Sequence, residues 1–196
     1  MDLGPIGSGP LRVGILSDTH GWVDPQVLEV VSTCDLAVHG GDIGNGAVLG
    51  QLRPRQGAVW AVSGNNDVQA KWPESDRDLL ARLPARVTLP LPGGLLVVVH
   101  GHQTQVRGRH DRLRRRFPEA RALVYGHSHR CVLDTDIRPW VLNPGAAGRT
   151  RTYGGPSCLV LTADVAVWTL ELHRFAPPAS PGSRPRTHLS HPSTKS

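Results

Sequence analysis

Aliphatic runs in this sequence repeatedly end in clusters of carboxylate, imidazole or amide side chains. Val13–Ser17 leads into Asp18-Thr19-His20-Gly21, Asp35–His39 into Gly40-Gly41-Asp42, and Ala58–Val62 into Gly64-Asn65-Asn66-Asp67. Further on, Leu95–Val99 leads into His100-Gly101-His102 and Arg121–Tyr125 into Gly126-His127-Ser128-His129. A lone Asp-x-His is a weak signal, because many strands end in a polar turn. Its recurrence gives it meaning. Asp18, His20, Asp42, Asn65, His100, His127 and His129 offer oxygen and imidazole donors and no thiolate, a set suited to Mn²⁺, Fe²⁺ or Zn²⁺. That is more than one ion needs. Two ions roughly 3.5–4 Å apart, sharing one carboxylate, would use them all and leave positions for water and substrate. Gly21, Gly41, Gly64, Gly101 and Gly126 beside them allow sharp turns and close backbone approach.

Such donors meet only if the strands carrying them share an edge. In open α/β sheets, ligands gather beyond the carboxyl ends of the strands. Asp24-Pro25 is an N-cap with Pro at the first helical position, which predicts a helix over Gln26 to Val31. A short helix is expected over Gly46 to Leu52, stopped by Pro54. Strands alternating with helices point to βαβ units and a parallel sheet in the N-terminal half. In the second half, Arg86–Leu89 and Leu95–Val99 read as a hairpin joined through Pro92-Gly93-Gly94, and a basic helix is expected over Arg109 to Phe117. Val132–Thr135 and Trp140–Leu142 read as short strands before Asn143-Pro144-Gly145; Ser157–Thr162 and Val165–Leu172 form a last hairpin around Ala163-Asp164.

Composition bounds the rest. At 196 residues the chain is most simply one domain with a sizeable core. Residues 1–10 read as an N-terminal extension, 11–175 as the domain, and 176–196 as a basic Pro/Ser-rich tail expected to be disordered. The net charge of +6 is unevenly spread, since Arg184, Arg186 and Lys195 lie in a tail with no acid. The body has 19 basic against 16 acidic residues, a balance of +3 (19 minus 16), too little to argue nucleic-acid binding from charge alone. Cys34, Cys131 and Cys158 are odd in number and form no C-x-x-C pair, which suits a reducing compartment. Residues 1–10 have neither a basic n-region nor an apolar h-region, and no apolar run is long enough to span a bilayer. A soluble cytoplasmic protein is expected, with no membrane partner.

Asp18-Thr19-His20, Gly41-Asp42, Gly64-Asn65-x-Asp67, His100-Gly101-His102 and Gly126-His127-Ser128-His129 together resemble the motif series of the calcineurin-like metallophosphoesterases. Order and spacing are closest to the small single-domain phosphodiesterase branch of the YfcE type, and the likeness runs from about Val13 to Leu172. It implies a four-layer α/β/β/α sandwich of two mixed β-sheets flanked by helices. It also implies a ligand scheme: Asp18, His20, Asp42 and His129 for one divalent ion, and Asp42, Asn65, His100 and His127 for the other, with Asp42 bridging. Mn²⁺ is favoured, with Fe²⁺, Zn²⁺, Co²⁺ or Ni²⁺ as alternatives. The implied reaction is attack of a metal-bridging hydroxide on a phosphorus ester, with Asn65 near a non-bridging oxygen.

One departure matters. Many members have Gly-Asn-His where this chain has Asn66, and an amide is no general acid near neutral pH. This favours phosphodiesters, including nucleotides, over monoesters, with Asn66 a candidate substrate contact and His102 a candidate catalytic group. A monoesterase, a nuclease on the same site, and a non-catalytic binding scaffold on the same fold are the alternatives; some relatives have lost ligand residues and serve as interaction subunits. His39 reads as packing or support for a ligand, and Asp67 as an acceptor of structural hydrogen bonds. Arg107, Arg109, Arg112, Arg114, Arg115 and Arg116 read as a solvated helix face, or as an anion-attracting border if they adjoin the metals. His188 and His191 read as part of the tail, not as ligands. Oligomeric state and physiological substrate leave no sequence signal.

Overall fold

Leu11–Leu16 forms the first strand, β1, of a computed structural model that describes residues 9–177. After it come α1 (Pro25–Ser32), β2 (Leu36–His39), α2 (Gly46–Gln51) and β3 (Ala58–Ala61), then a 3-10 turn (Glu74–Asp76) and α3 (Arg77–Arg82). The second half holds β4 (Arg86–Leu91), β5 (Gly94–Val99), α4 (Arg109–Arg116), β6 (Ala122–Tyr125), β7 (Cys131–Asp134), β8 (Trp140–Pro144), β9 (Ser157–Ala163) and β10 (Trp168–Arg174). The expectations for the extension and the tail fall mostly on residues 1–8 and 178–196, outside the described residues.

The strands form two five-stranded mixed sheets, ordered β10-β9-β1-β2-β3 and β4-β5-β6-β8-β7. β1, β2 and β3 run parallel, as do β5, β6 and β8, and antiparallel strands complete each sheet. Alternate side chains explain why the runs are apolar throughout. Leu11, Val13 and Ile15 meet Leu96, Val98, Ala122 and Val124 in a core between the sheets. On the outer face of the first sheet, Leu16 and Ala37 pack against Val27 and Val31 of α1. On the outer face of the second, Val97, Leu123 and Tyr125 pack against Leu113 of α4. Strands buried on both faces lose the polar alternation of a surface sheet, and the result is the expected helix–sheet–sheet–helix order.

Local chemistry sets the helix starts. The Asp24 side chain accepts from the Gln26 amide at 2.9 Å, and Asn45 caps α2 by accepting from the Val48 amide at 3.1 Å. Some boundaries differ from the sequence reading. β4 continues through Pro90 to Leu91, because it is an edge strand, where a missing N–H is tolerated. β10 starts at Trp168 rather than Val165, since Asp164 accepts from the Ala166 amide at 3.0 Å in a turn that leaves Val165 and Val167 exposed. The Glu74–Arg82 helical stretch escapes a periodicity reading: its apolar anchors, Leu79 and Leu80, are only half-buried beside Ile43, Val48 and Trp72. Cys34, Cys131 and Cys158 are free. Among the described residues no helix is long and apolar enough to cross a membrane.

Candidate metal centre

β1, β2, β3, β5 and β6 all deliver their C-terminal turns to one edge. Backbone bonds stitch those turns together: Asp18 N–H to Gly41 O at 3.0 Å, His20 N–H to Asp42 O at 2.9 Å, and Gly126 N–H to His100 O at 3.1 Å. Asp18, His20, Asp42, His127 and His129 all take positive φ, between 48° and 65°. Residues with a Cβ rarely adopt this left-handed region, and such backbone strain collects at functional sites. Two glycines are required by space. A Cβ on Gly64 would lie 2.1 Å from Asp42 Oδ1, and one on Gly126 would lie 2.0 Å from Ser17 Oγ.

The donors fall into two groups around Asp42. Ligand atoms of Asp18, His20, Asp42 and His129 all lie within 4.8 Å of one another. Within that group, His129 Nε2 is 3.3 Å from Asp18 Oδ1 and 3.2 Å from His20 Nε2, and His20 Nε2 is 3.9 Å from Asp42 Oδ2. On the other side, His100 Nε2 is 3.4 Å from Asp42 Oδ1 and 3.2 Å from Asn65 Oδ1, and His127 Nδ1 is 2.9 Å from the same amide oxygen. Each oxygen of Asp42 thus faces one group. The residues singled out in the sequence as ligands converge, although they span more than a hundred positions.

Surrounding bonds aim these rings. His100 Nδ1 donates to Gly40 O at 2.7 Å and His129 Nδ1 to Thr150 O at 3.2 Å, so each presents an Nε2 to the cluster. These nitrogens meet oxygens or a second ring nitrogen rather than donors, a lone-pair-rich pocket that a divalent cation fits. His39 acts as support: Nδ1 accepts from the Gly41 amide at 3.2 Å and Nε2 donates to Thr19 Oγ1 at 3.0 Å. Asp67 is structural, with Oδ1 accepting from the amides of Ile43 (2.9 Å) and Gly44 (3.0 Å) and from the Trp72 indole (3.0 Å), and Oδ2 from the Gly64 amide (2.8 Å). Asn143 Nδ2 donates to Gly126 O at 2.8 Å and Ser128 Oγ at 3.0 Å, which steadies the His127–His129 turn.

Electrostatics follow the packing. Burial pushes the Asp18 carboxyl up to about 7, against the charge of His100 and the hydrogen bond from Ser17. Burial also opposes charge on Asp42, but His100 and the two Asn66 donors outweigh it and hold this carboxyl well below the usual range. Burial lowers His20 and His127, and takes His129 down to about 4, so these rings are neutral and able to ligate near pH 7. For His100, burial is overcome by Asp42 and Asp18, and its proton is held more tightly than usual. A cation must displace the protons on Asp18 and His100, so metal affinity falls in acid. Mn²⁺ titrated into metal-stripped protein should bind about tenfold more tightly at pH 8 than at pH 6 through Asp18 alone. A constant affinity across that range would contradict this.

Asn66 and His102 differ in surroundings. Asn66 gives its backbone N–H to Asp42 Oδ1 at 2.8 Å and its amide to Asp42 Oδ2 at 2.6 Å, while its own oxygen accepts from Lys71 Nζ. His102 is exposed, its ring centre 5.4 Å from that of His100 and 6.3 Å from that of His127. Sequence reasoning missed Ser17, whose hydroxyl donates to Asp18 Oδ2 at 2.7 Å and which directly precedes that carboxylate. It also missed Thr150 and Lys71, which reach the site on returning loops that leave no local pattern.

Two face-to-face mixed sheets with this donor cluster at their shared strand ends define an α/β protein built around a candidate metal centre. A family model, the calcineurin-like phosphoesterase superfamily domain, matches residues 11–165, and the chain belongs to that superfamily. Solved structures with the same fold include a single mutant of Vps29 from Entamoeba histolytica, 18% identical, with a TM-score of 0.64 over 84% of this chain and 99% of that one. An archaeal phosphodiesterase is 20% identical, with a TM-score of 0.60 over 83% of this chain and 100% of its own. A predicted phosphoesterase from Streptococcus pneumoniae is 23% identical, with a TM-score of 0.57 over 86% of this chain and 91% of its own. No curated protein matches the chain.

Proposed function

We propose that this protein is a phosphodiesterase that hydrolyses P–O bonds with two divalent cations, Mn²⁺ favoured. The observation that carries the reading is the division of donors around Asp42, one oxygen facing His20 and the other His100. Asp18, His20, Asp42 and His129 would hold one ion, and Asp42, Asn65, His100 and His127 the other. Bound divalent cations supply Lewis acidity, which lowers the pKa of water and neutralises charge on phosphoryl oxygens. The chain does the rest. Buried Asp18 and Asp42, with the neutral imidazoles of His20, His127 and His129, fix the donor geometry before substrate arrives. Asn65 stands between His100 and His127, where its amide can also meet a non-bridging oxygen. His102, exposed with its ring centre 5.4 Å from that of His100, is an imidazole outside the ligand scheme available to a leaving group. Free, buried Cys34 and Cys158 support a cytoplasmic setting.

The preference for diesters rests on Asn66, which is tied to Asp42 and Lys71 and has no proton to give near neutral pH. General acid catalysis contributes about 10²–10⁴ in rate where a leaving group needs it. With Mn²⁺, kcat/KM for bis(4-nitrophenyl) phosphate should exceed that for 4-nitrophenyl phosphate, and phenyl phosphate, whose leaving group needs a proton, should react at least about tenfold more slowly than 4-nitrophenyl phosphate. A strong monoester preference overturns the diester reading. Metal-free protein from every purification, with no hydrolysis of either ester, favours the scaffold alternative.

A further inference from the structure

The arginines around α4 do not form one solvated face. Arg109 is buried, donates to Thr104 O at 3.2 Å and stacks its guanidinium 5.4 Å from the Tyr125 ring centre. Arg114 donates to Asp134 at 2.5 Å and to Pro139 O at 2.9 Å, and it lies 3.9 Å from Asp111, the acid of this helix. Arg112, Arg115 and Arg116 point elsewhere. They are exposed and, among the described residues, form no ion pair; the same holds for Arg86 on β4. Arg86 and Arg116 are drawn together by one buried ring, their guanidinium carbons 5.6 and 5.3 Å from the centre of Phe117.

These free cations line two cavities, the first of which includes His100 of the candidate metal centre in its wall. A cavity of about 330 Å³ is lined by His100 and His102 together with Arg86 and Arg116. A second, of about 520 Å³, is bounded by Arg112, Arg115 and Arg116. Gln103, Thr104 and Arg116 wall both, so the two are neighbours, and no carboxylate lines either. Guanidinium groups match phosphate oxygens bidentately. Several of them together, without acids, suit a ligand that carries several phosphates.

We propose that this groove binds the backbone of a single-stranded nucleic acid, with successive phosphates running from the metal centre past Arg86 and Arg116 to Arg112 and Arg115. This deepens the phosphodiesterase reading by naming its substrate class, and it rests on that reading for the position of the scissile phosphate. Beyond the two imidazoles at the metal end, no aromatic ring but the buried Phe117 lines them, so recognition is of backbone charge and tolerant of sequence. The modest charge of the whole body is compatible with this, because these four cations are concentrated and unneutralised.

Fluorescence anisotropy of a labelled ten-nucleotide oligothymidylate tests it, using the full chain stripped of metal in EDTA. Binding is then read without hydrolysis, so failure of the groove and failure of the enzymatic reading are told apart. Arg112→Gln/Arg115→Gln/Arg116→Gln should weaken binding at least about tenfold and flatten the log–log salt slope by about 2 between about 50 and 200 mM salt. Arg53→Gln/Arg55→Gln, which removes exposed cations elsewhere, should change affinity less than about twofold. Matching circular dichroism spectra establish that the triple variant is folded. The proposal is overturned by a wild type that does not bind, by a triple variant that binds as well as wild type, or by equal losses in both variants. A preference for tripolyphosphate over the oligonucleotide at equal phosphate concentration also overturns it, by assigning the groove to a small polyphosphate.

Discussion

Asp42→Ala is expected to abolish metal retention and to cut hydrolysis by at least about a thousandfold. The magnitude follows from position. Asp42 is buried, and its two oxygens face His100 at 3.4 Å and His20 at 3.9 Å, so its removal disables both donor groups at once. Losing His20 or His127 alone leaves the other group intact and should be milder. Asp42 also accepts from Asn66 twice, and alanine frees that residue. Metal content after purification, read beside the initial rate on an aryl diester, checks both halves. Equal activity in variant and wild type would point to a contaminant or to a chain that does no chemistry.

The second large effect is on folding. Asp67→Ala should destabilise the protein by about 3–5 kcal/mol, because it strands four donors in a largely buried turn. For a domain of this size that is a fall of about 10 °C in Tm. The bonds run to Ile43, Gly44 and Gly64, so the segments carrying Asp42 and Asn65 loosen with it, and metal affinity should fall too. Asp67→Asn keeps one acceptor but turns an N–H₂ toward a donor, and an intermediate Tm is expected. An unchanged melt in Asp67→Ala would refute the assignment of this carboxylate as the clamp between the two turns.

These cases show what could be read from residues alone. The strands were legible because burial on both faces makes runs such as Leu95–Val99 continuously apolar, and the donor cluster was legible because the runs end at its side chains. Asp67 was legible as an acceptor by its place just past Asn65. Other features depend on chain returns with no local mark. Thr150 reaches His129, and Lys71 reaches Asn66, only after loops fold back. The arginines misled for a related reason: composition makes α4 look uniformly solvated, whereas Asp134 and Tyr125, from other strands, take Arg114 and Arg109 out of water. The left-handed backbone of Asp18, His20 and Asp42 has no counterpart in residue type, since carboxylates and imidazoles there follow from the site rather than from propensity.

Anomalous diffraction from crystals grown with Mn²⁺ tests the central claim most directly. Two peaks are expected, both within bonding distance of Asp42, one among Asp18, His20 and His129 and the other among Asn65, His100 and His127. A single peak that leaves Asp42 unligated, or peaks elsewhere on the chain, would contradict the two-ion centre.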